Sequence, residues 1–391
     1  MKRRDFCKAT LITTTMALLF KTKIGWAEEQ HYNYQNAHAL SPKLTEVASI
    51  PWLCNAVALT HSGRLFAGLP RWPTNEKTPS VAEILPDGKL QPFPGGKWNQ
   101  GVEGSNNGED VFVCVNTIHI FDDDTLWVVD QGNKNLSRNA QKLLQFDTNT
   151  GKLLRRFTFS ETILPEGGNI NDLRLDSENI YLTDSGLGAI IVINLKTEKM
   201  LRRLAGHYST QATSDRPPFG ENGQLLQKSD GSMVLVNSDP IEISPDGKWL
   251  YYQPLTGPLY KVPTQALRDE TLSEDELGKR VQFVYDTPTL VGTAIDSKGN
   301  IYLAEFDRPR VTVLAPDGSL RVVVEDERLW GPDAMFISNK HELYIPCPQS
   351  GRLAANRGPG GKDAVVRPYR IYKLTLPVSA GVAEKVPPVS L

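Results

Sequence analysis

The sequence predicts an all-β fold, a six-bladed β-propeller of four-stranded antiparallel blades, its ring closed by an N-terminal strand. One phrase recurs six times: a short apolar strand, a tight turn rich in Asp, Gly, Ser and Asn, then a strand opening on a Leu/Ile–aromatic pair. The pairs Leu65-Phe66, Leu126-Trp127, Ile180-Tyr181, Leu250-Tyr251, Ile301-Tyr302 and Leu343-Tyr344 mark the same point in each copy. They lie about 42 to about 70 residues apart, the range of a propeller blade with loop insertions. No Pro/Ser-rich or charged linker divides the 391 residues, and no internal apolar run approaches the ~20 residues that span a bilayer. Such units cannot bury their apolar faces alone, so the copies must stack and close.

The copies begin at Asn55, Asn116, Asn171, Asp239, Gly292 and Pro332. In the third, period-two alternation and Asp/Asn turns predict strands over Asn171–Asp176, Ile180–Asp184, Ala189–Asn194 and Lys199–Leu204. The fifth reads the same way over Gly292–Asp296, Asn300–Glu305, Arg310–Leu314 and Leu320–Val324. The sixth copy is incomplete. After Tyr369–Leu376 only a Pro-containing tail follows, which would leave an open edge, so Lys43–Ile50 is the natural fourth strand.

The turns between first and second strands hold acids that act as turn formers. The opposite face gathers inner-strand starts and second-strand ends around a central channel. Asn55, Asn116, Asn171, Asp172, Asp239 and Asp333 stand at or near the starts; Arg71, Asp130, Asp184, Glu305, Arg308 and Gln349 stand at or beyond the ends. So many carboxylates and amides converging on one mouth suit a small-molecule or metal site. Trp72, Trp330 and Phe306 lie near enough to stack on a ring. Asp239, Asp333 and Arg71 are the candidate acid–base and oxyanion groups. Two long polar stretches, Arg71–Val113 and Gly206–Met233, would equally serve a non-catalytic propeller that binds a partner.

Residues 1–27 read as a separate, cleavable export signal: a basic Met1–Lys8, an apolar Ala9–Phe20, and Gly25-Trp26-Ala27 with small residues where a signal peptidase reads. Arg3-Arg4-Asp5-Phe6-Cys7-Lys8 resembles the bacterial twin-arginine signal. This implies contact with that export machinery, a periplasmic or secreted location, a single propeller domain over 28–391, and no stable membrane insertion of the mature chain. Removing residues 1–27 takes away Lys2, Arg3, Arg4, Lys8, Lys21 and Lys23 but only Asp5 among acids, so the remainder is more acidic than the whole chain's formal −2. A nucleic-acid footprint, which needs clustered positive charge, is absent from this pattern. A closed ring needs no partner for stability, so a monomer is expected. Cys54, Cys114 and Cys347 read as small buried residues, with a Cys54–Cys114 disulfide as the alternative.

Several stretches resemble the Yellow/major royal jelly protein family. They are Ala67–Trp72 (AGLPRW) followed by Thr78-Pro79-Ser80, Tyr181–Leu195 (YLTDSGLGAIIVINL), Tyr252–Leu267 (YQPLTGPLYKVPTQAL) and Leu329–Asp333 (LWGPD), with matching order over roughly residues 45–378. The resemblance implies a secreted six-bladed propeller, and the twin-arginine signal implies a bacterial member. Family members include dopachrome-converting isomerases, amine-binding proteins and nutritive proteins. It therefore implies a channel that binds an aromatic amine, catechol or quinone-like molecule, with isomerase activity as a possible extension.

A more distant similarity is to the gluconolactonase/regucalcin group, which holds one divalent cation with a Glu, two Asn and an Asp from inner-strand starts. Asn171-Asp172-Leu173-Arg174-Leu175-Asp176 looks like that group's Asn-Asp segment. This similarity implies Ca²⁺ or Zn²⁺ held by Asn116, Asn171 and Asp239, and lactone or ester hydrolysis. Asn55 stands where Glu is expected, Asp239 where Asn is expected, and Val291-Gly292 where the Asp should be.

Overall fold

A computed structural model describes residues 44–71 and 78–376. They form six four-stranded antiparallel sheets, each a propeller blade. The inner strands are Ala56–Leu59, Val115–Ile120, Ile170–Leu175, Ser238–Ile243, Leu290–Ile295 and the two-residue Phe336–Ile337. Five blades are built from four consecutive strands. The sixth takes its outermost strand from the other end of the chain: Thr45–Ile50 pairs antiparallel with Tyr369–Thr375. The ring is thus closed by the N-terminal strand that the incomplete sixth copy requires. Ala48 and Ile50 of that strand are buried in the core shared with the first blade, each such aliphatic contributing up to about 1.5–3 kcal/mol.

The recurring aromatic has a local explanation. Asp176 ends the third inner strand. One of its oxygens accepts the backbone N–H of Glu178 and Asn179 and the Asn179 amide, and the other accepts the Tyr181 hydroxyl at 2.7 Å. Asp296 does the same in the fifth blade, for Lys298 and Asn300 N–H, the Asn300 amide and the Tyr302 hydroxyl. One Asp therefore caps the hairpin and anchors the second strand, and a buried hydroxyl is satisfied at the blade interface.

The ends of the inner strands that face the long connections carry a second regularity. Register slips by one residue between Val115 and Thr117, Ile170 and Leu173, Ser238 and Ile241, and Leu290 and Gly292. These are β-bulges, which release a residue from the ladder and re-aim its side chain. The released residues include Asn116, Asn171, Asp239 and Val291, and they encircle the channel.

Candidate functional site

Each blade contributes one residue to this ring: Asn55, Asn116, Asn171, Asp239, Val291 and Asp333 in blade order, all lining one cavity of about 350 Å³. The polar members are linked head to tail. Asn55 Nδ2 donates to the Asn116 carbonyl at 3.0 Å, and Asn116 Nδ2 donates to Asn171 Oδ1 at 2.9 Å and to its carbonyl at 3.2 Å. The Asn171 side chain in turn faces the Asp239 carboxyl and favours its charged form. Asp333 accepts the N–H of Ala334 at 2.8 Å. At the start of the chain of amides, Asn55 Oδ1 is buried and has no hydrogen-bond partner.

Burial pushes both ring carboxyls well above the usual carboxylate range. The Asp172 charge adds to the rise at Asp239, and Asp239 adds to that at Asp333. No Lys or Arg among the described residues pairs with either. The cation beside the ring is already committed: Arg174 makes a two-pronged pair with Glu242 (2.9 and 2.8 Å) and a 3.1 Å contact with Asp172. Thr293 adds a hydroxyl to Glu242 at 2.9 Å. Burial opposes the Arg174 charge, but Asp172 and Glu242 outweigh it and hold its pKa above the ordinary value. Beside the ring, then, lies a cluster of two acids and one guanidinium that leaves no positive charge for Asp239 and Asp333.

The walls above the ring are largely apolar, with Leu226, Val234 and Val236 from the connection between the third and fourth blades, Leu255 and Phe306 from other blades, and Leu353 from a sixth-blade insertion; Gln131, Asn169, Ser185, Ser350 and Asn356 add polar groups. A polar floor of amides and acids under apolar walls is the ordinary make-up of a small-molecule site.

The sequence profile described as "Major royal jelly protein" matches residues 113–348. The chain belongs to the major royal jelly protein family. No curated protein matches its sequence. Among solved structures it is similar in fold to a luciferin-regenerating enzyme (TM-score 0.54, 12% identity, 90% of this chain and 100% of that one). It is also similar to a gluconolactonase from Xanthomonas campestris (0.51, 13%, 85% and 89%) and a Bacteroides thetaiotaomicron protein of unknown function (0.51, 13%, 86% and 72%). At these identities the likeness concerns the fold alone.

In this family member the residues singled out in the sequence separate into two groups. Asn55, Asn116, Asn171, Asp239 and Asp333 meet in the cavity. Asp172 lies just beside them, bound to Arg174. The acids at the second-strand ends do not line the cavity, although the residues just after them, Gln131, Ser185 and Phe306, do. Asp130 accepts the N–H groups of Val113, Cys114 and Gly132 and pairs with the fully buried Lys142 at 2.9 Å. Asp184 accepts three loop N–H groups and pairs with Arg202 at 2.8 Å. Glu305 binds Arg310 at 2.7 Å and the Thr312 hydroxyl at 3.0 Å, and Arg308 lies 3.8 Å from Asp307.

Arg71 is also held away from the ring. Its guanidinium donates to the carbonyls of Thr78, Asn99 and Phe112, fastening the loops between the first two blades. Trp330 lies under the Arg352 guanidinium at 5.6 Å, whereas Phe306 does line the cavity. Trp72 lies outside the described residues. Among the described residues Cys54, Cys114 and Cys347 are free, and Cys347, not Cys114, is the thiol close enough to influence buried Cys54.

Sequence reasoning missed the apolar walls. Their signal is present: Leu225-Leu226 and Met233-Val234-Leu235-Val236 are apolar runs inside an otherwise polar insertion.

For a metal, the donor set is mixed. Among the described residues no group of three or more His, Cys, Asp or Glu is placed to hold one. Asn116, Asn171 and Asp239 are adjacent, but Asn171 Oδ1 already accepts the Asn116 amide. The position where the gluconolactonase resemblance expects an acid is Val291, followed by a glycine that packing requires. A Cβ on Gly292 would stand 2.3 Å from the Asp333 carbonyl carbon. The oxygens that remain, Asn55 Oδ1 and the two ring carboxyls, suit a hard cation; the ring offers no imidazole or thiolate for Zn²⁺.

Proposed function

We propose that this propeller binds a small molecule with a cationic amine head and a compact apolar body, such as an aromatic amine, in the channel mouth. One observation carries the reading: two buried acids that feel each other's charge, Asp239 and Asp333, stand without a cation among the described residues at the floor of a cavity with largely apolar walls. A buried carboxylate is costly unless paired, and an ammonium group is the partner these two lack. The unpartnered Asn55 Oδ1 offers the same head group a further acceptor. The apolar walls then take the body of the ligand. Because both carboxyls hold protons more tightly than usual, the same pair is suited to move a proton on a bound catechol or quinone-like ring, which is what a tautomerisation needs.

Titration calorimetry of the mature chain with tyramine and dopamine tests this. Binding to the wild type that falls at least tenfold in Asp239→Asn or Asp333→Asn, with heats that vary with buffer because protons are released, is the expected result. Equal binding by wild type and both variants would overturn it.

A second reading has one observation in its favour, the buried Asn55 oxygen facing a ring of oxygen ligands. In it, Asn116, Asn171 and Asp239 hold a Ca²⁺ ion after their amides turn, and such an ion would polarise a lactone or ester carbonyl. Elemental mass spectrometry of protein purified without chelators separates the two readings. About one Ca²⁺ per chain, lost in Asn171→Ala, favours the second.

The export reading of residues 1–27 belongs with both and places the propeller in the periplasm or outside the cell as a monomer. Replacing Arg3 and Arg4 by Lys should retain the chain in the cytoplasm on fractionation.

A further inference from the structure

The cavity has a roof, and the roof is made of two insertions that hold each other. The first, between the third and fourth blades, folds back on itself: Leu226 N–H donates to the Pro218 carbonyl and Val234 N–H to the Leu226 carbonyl. The second interrupts the sixth blade after Cys347, whose strand resumes only at Tyr369. Three sets of contacts join them. Gln227 donates its N–H to the Asn356 carbonyl at 3.1 Å and accepts from Gly358 N–H at 2.8 Å. Arg352 makes a two-pronged pair with Glu221, Nε to Oε2 at 2.6 Å and Nη2 to Oε1 at 2.8 Å. Beneath the join lies Phe306 from the fifth blade. It fits closely enough that a Cβ on Gly351 would meet its ring at 2.8 Å.

We propose that Glu221 and Arg352 clasp these insertions into one gate over the cavity, and that the gate governs entry and decides what apolar body is admitted. The two insertions face the cavity mainly with apolar side chains, Leu226, Val234 and Val236 on one side and Leu353 and Ala355 on the other, with Ser350 and Asn356 as the polar exceptions. The apolar ones add nothing to recognition of a charged head group. Their contact area and position depend on the clasp, because each insertion is tied to its partner through Gln227 and Glu221 as well as to its own blade. Both members of the ion pair are about one-fifth exposed on average, 15% for Arg352 and 26% for Glu221. The pair is therefore strong enough to hold two segments and still reachable by water when they part. Arg352 is also fixed from its other sides by Gln349 Oε1 at 3.0 Å and by the Trp330 ring, so its fork is aimed before Glu221 arrives. Glu221 and Arg352 are positioning residues: they act on a ligand through the apolar side chains they hold in place.

The inference rests on the cavity being a ligand site but not on the ligand being an amine, and the test separates the two. Hydrogen exchange is followed in the full mature chain, wild type against Glu221→Gln and Arg352→Met. Entry is followed with N-phenyl-1-naphthylamine, an apolar fluorescent probe without charge at neutral pH. In either variant the amides of Gln227, Val234 and Gly358 are expected to exchange faster together, by about tenfold or more. The strands bearing Asn116 and Asn171 should keep their protection, and the probe should associate faster by a similar factor. Faster exchange confined to the insertion that carries the substitution would overturn the clasp. Unchanged probe association despite faster exchange in both insertions would overturn the gate, as would failure of the probe to enter wild type or variant. Failure of tyramine to bind, with the probe behaving as expected, would count against the amine alone.

Discussion

Two rings of buried acids share one face of this propeller, and they are built in opposite ways. In the outer ring, Asp130, Asp184 and Glu305 close the second strands of the second, third and fifth blades, and each has its own cation: Lys142, Arg202 and Arg310. In the inner ring, Asp239 and Asp333 open inner strands and have amides and each other for neighbours. Asp130 and Asp184 also cap three loop N–H groups apiece, and Glu305 accepts the Thr312 hydroxyl, so the fold uses each outer acid through a cation and further donors. The inner acids have no cation among the described residues. Burial alone therefore does not mark a site; burial without compensation does.

The largest expected effect is in the outer ring. Asp130→Ala leaves the Lys142 ammonium in a fully buried position with only the carbonyls of Gly108 and Ala140. Burial already pulls the Lys142 pKa below its ordinary value, against the pull of Asp130. Removing that partner should cost about 3–5 kcal/mol in denaturant unfolding, and Asp130→Ala with Lys142→Met should recover much of it. A single-variant loss below about 1 kcal/mol would break the distinction between the rings.

The inner ring should respond with the opposite sign. The folded pKa of Asp239 and Asp333 lies above the unfolded value, so each contributes stability that is complete below about pH 3.8. That contribution is lost as pH rises toward the raised folded value, because the unfolded chain then gains by ionising first. Asp239→Asn removes the carboxyl and keeps an acceptor for the Asn171 amide. Its melting temperature should match the wild type near pH 4 and exceed it by a few degrees at pH 8. A variant less stable than the wild type across that range would mean that the inner acids are structural after all.

The difference between the rings is also where sequence reasoning stopped. The repeat, the six inner strands and the closing strand were legible because they rest on local rules: alternation, acids that form a turn, and an edge that must be covered. Acids at strand starts and strand ends were legible as a set. Their division was not, because Lys142, Arg202 and Arg310 follow Asp130, Asp184 and Glu305 at unequal spacings, so no periodic signal announces the pairing. Arg71 shows the same gap. A lone Arg after a second strand suits an oxyanion contact or a loop tie equally well, and only the carbonyls of Thr78, Asn99 and Phe112 decide. The roof escaped for another reason. Its residues lie in insertions that break the repeat, where only the apolar runs at Leu225-Leu226 and Met233–Val236 stand out from a polar background.

The smallest expected effect sharpens the comparison from outside both rings. Lys199 and Glu270 form an ion pair at 2.6 Å that is geometrically as good as any in the outer ring, but their side chains are 58% and 50% exposed. Water already solvates both charges, so pairing them replaces one good environment with another and orders two long side chains. Glu270→Ala should change unfolding by no more than about 0.5 kcal/mol, and the little it changes should vanish in about 1 M salt, where charges are screened within ~3 Å. The Asp130–Lys142 pair is out of reach of that salt, so the cost of Asp130→Ala should persist under the same conditions. If both pairs responded alike, distance would be what matters; if only the exposed pair loses its effect, desolvation is what separates the acids that build this propeller from those that water already solvates.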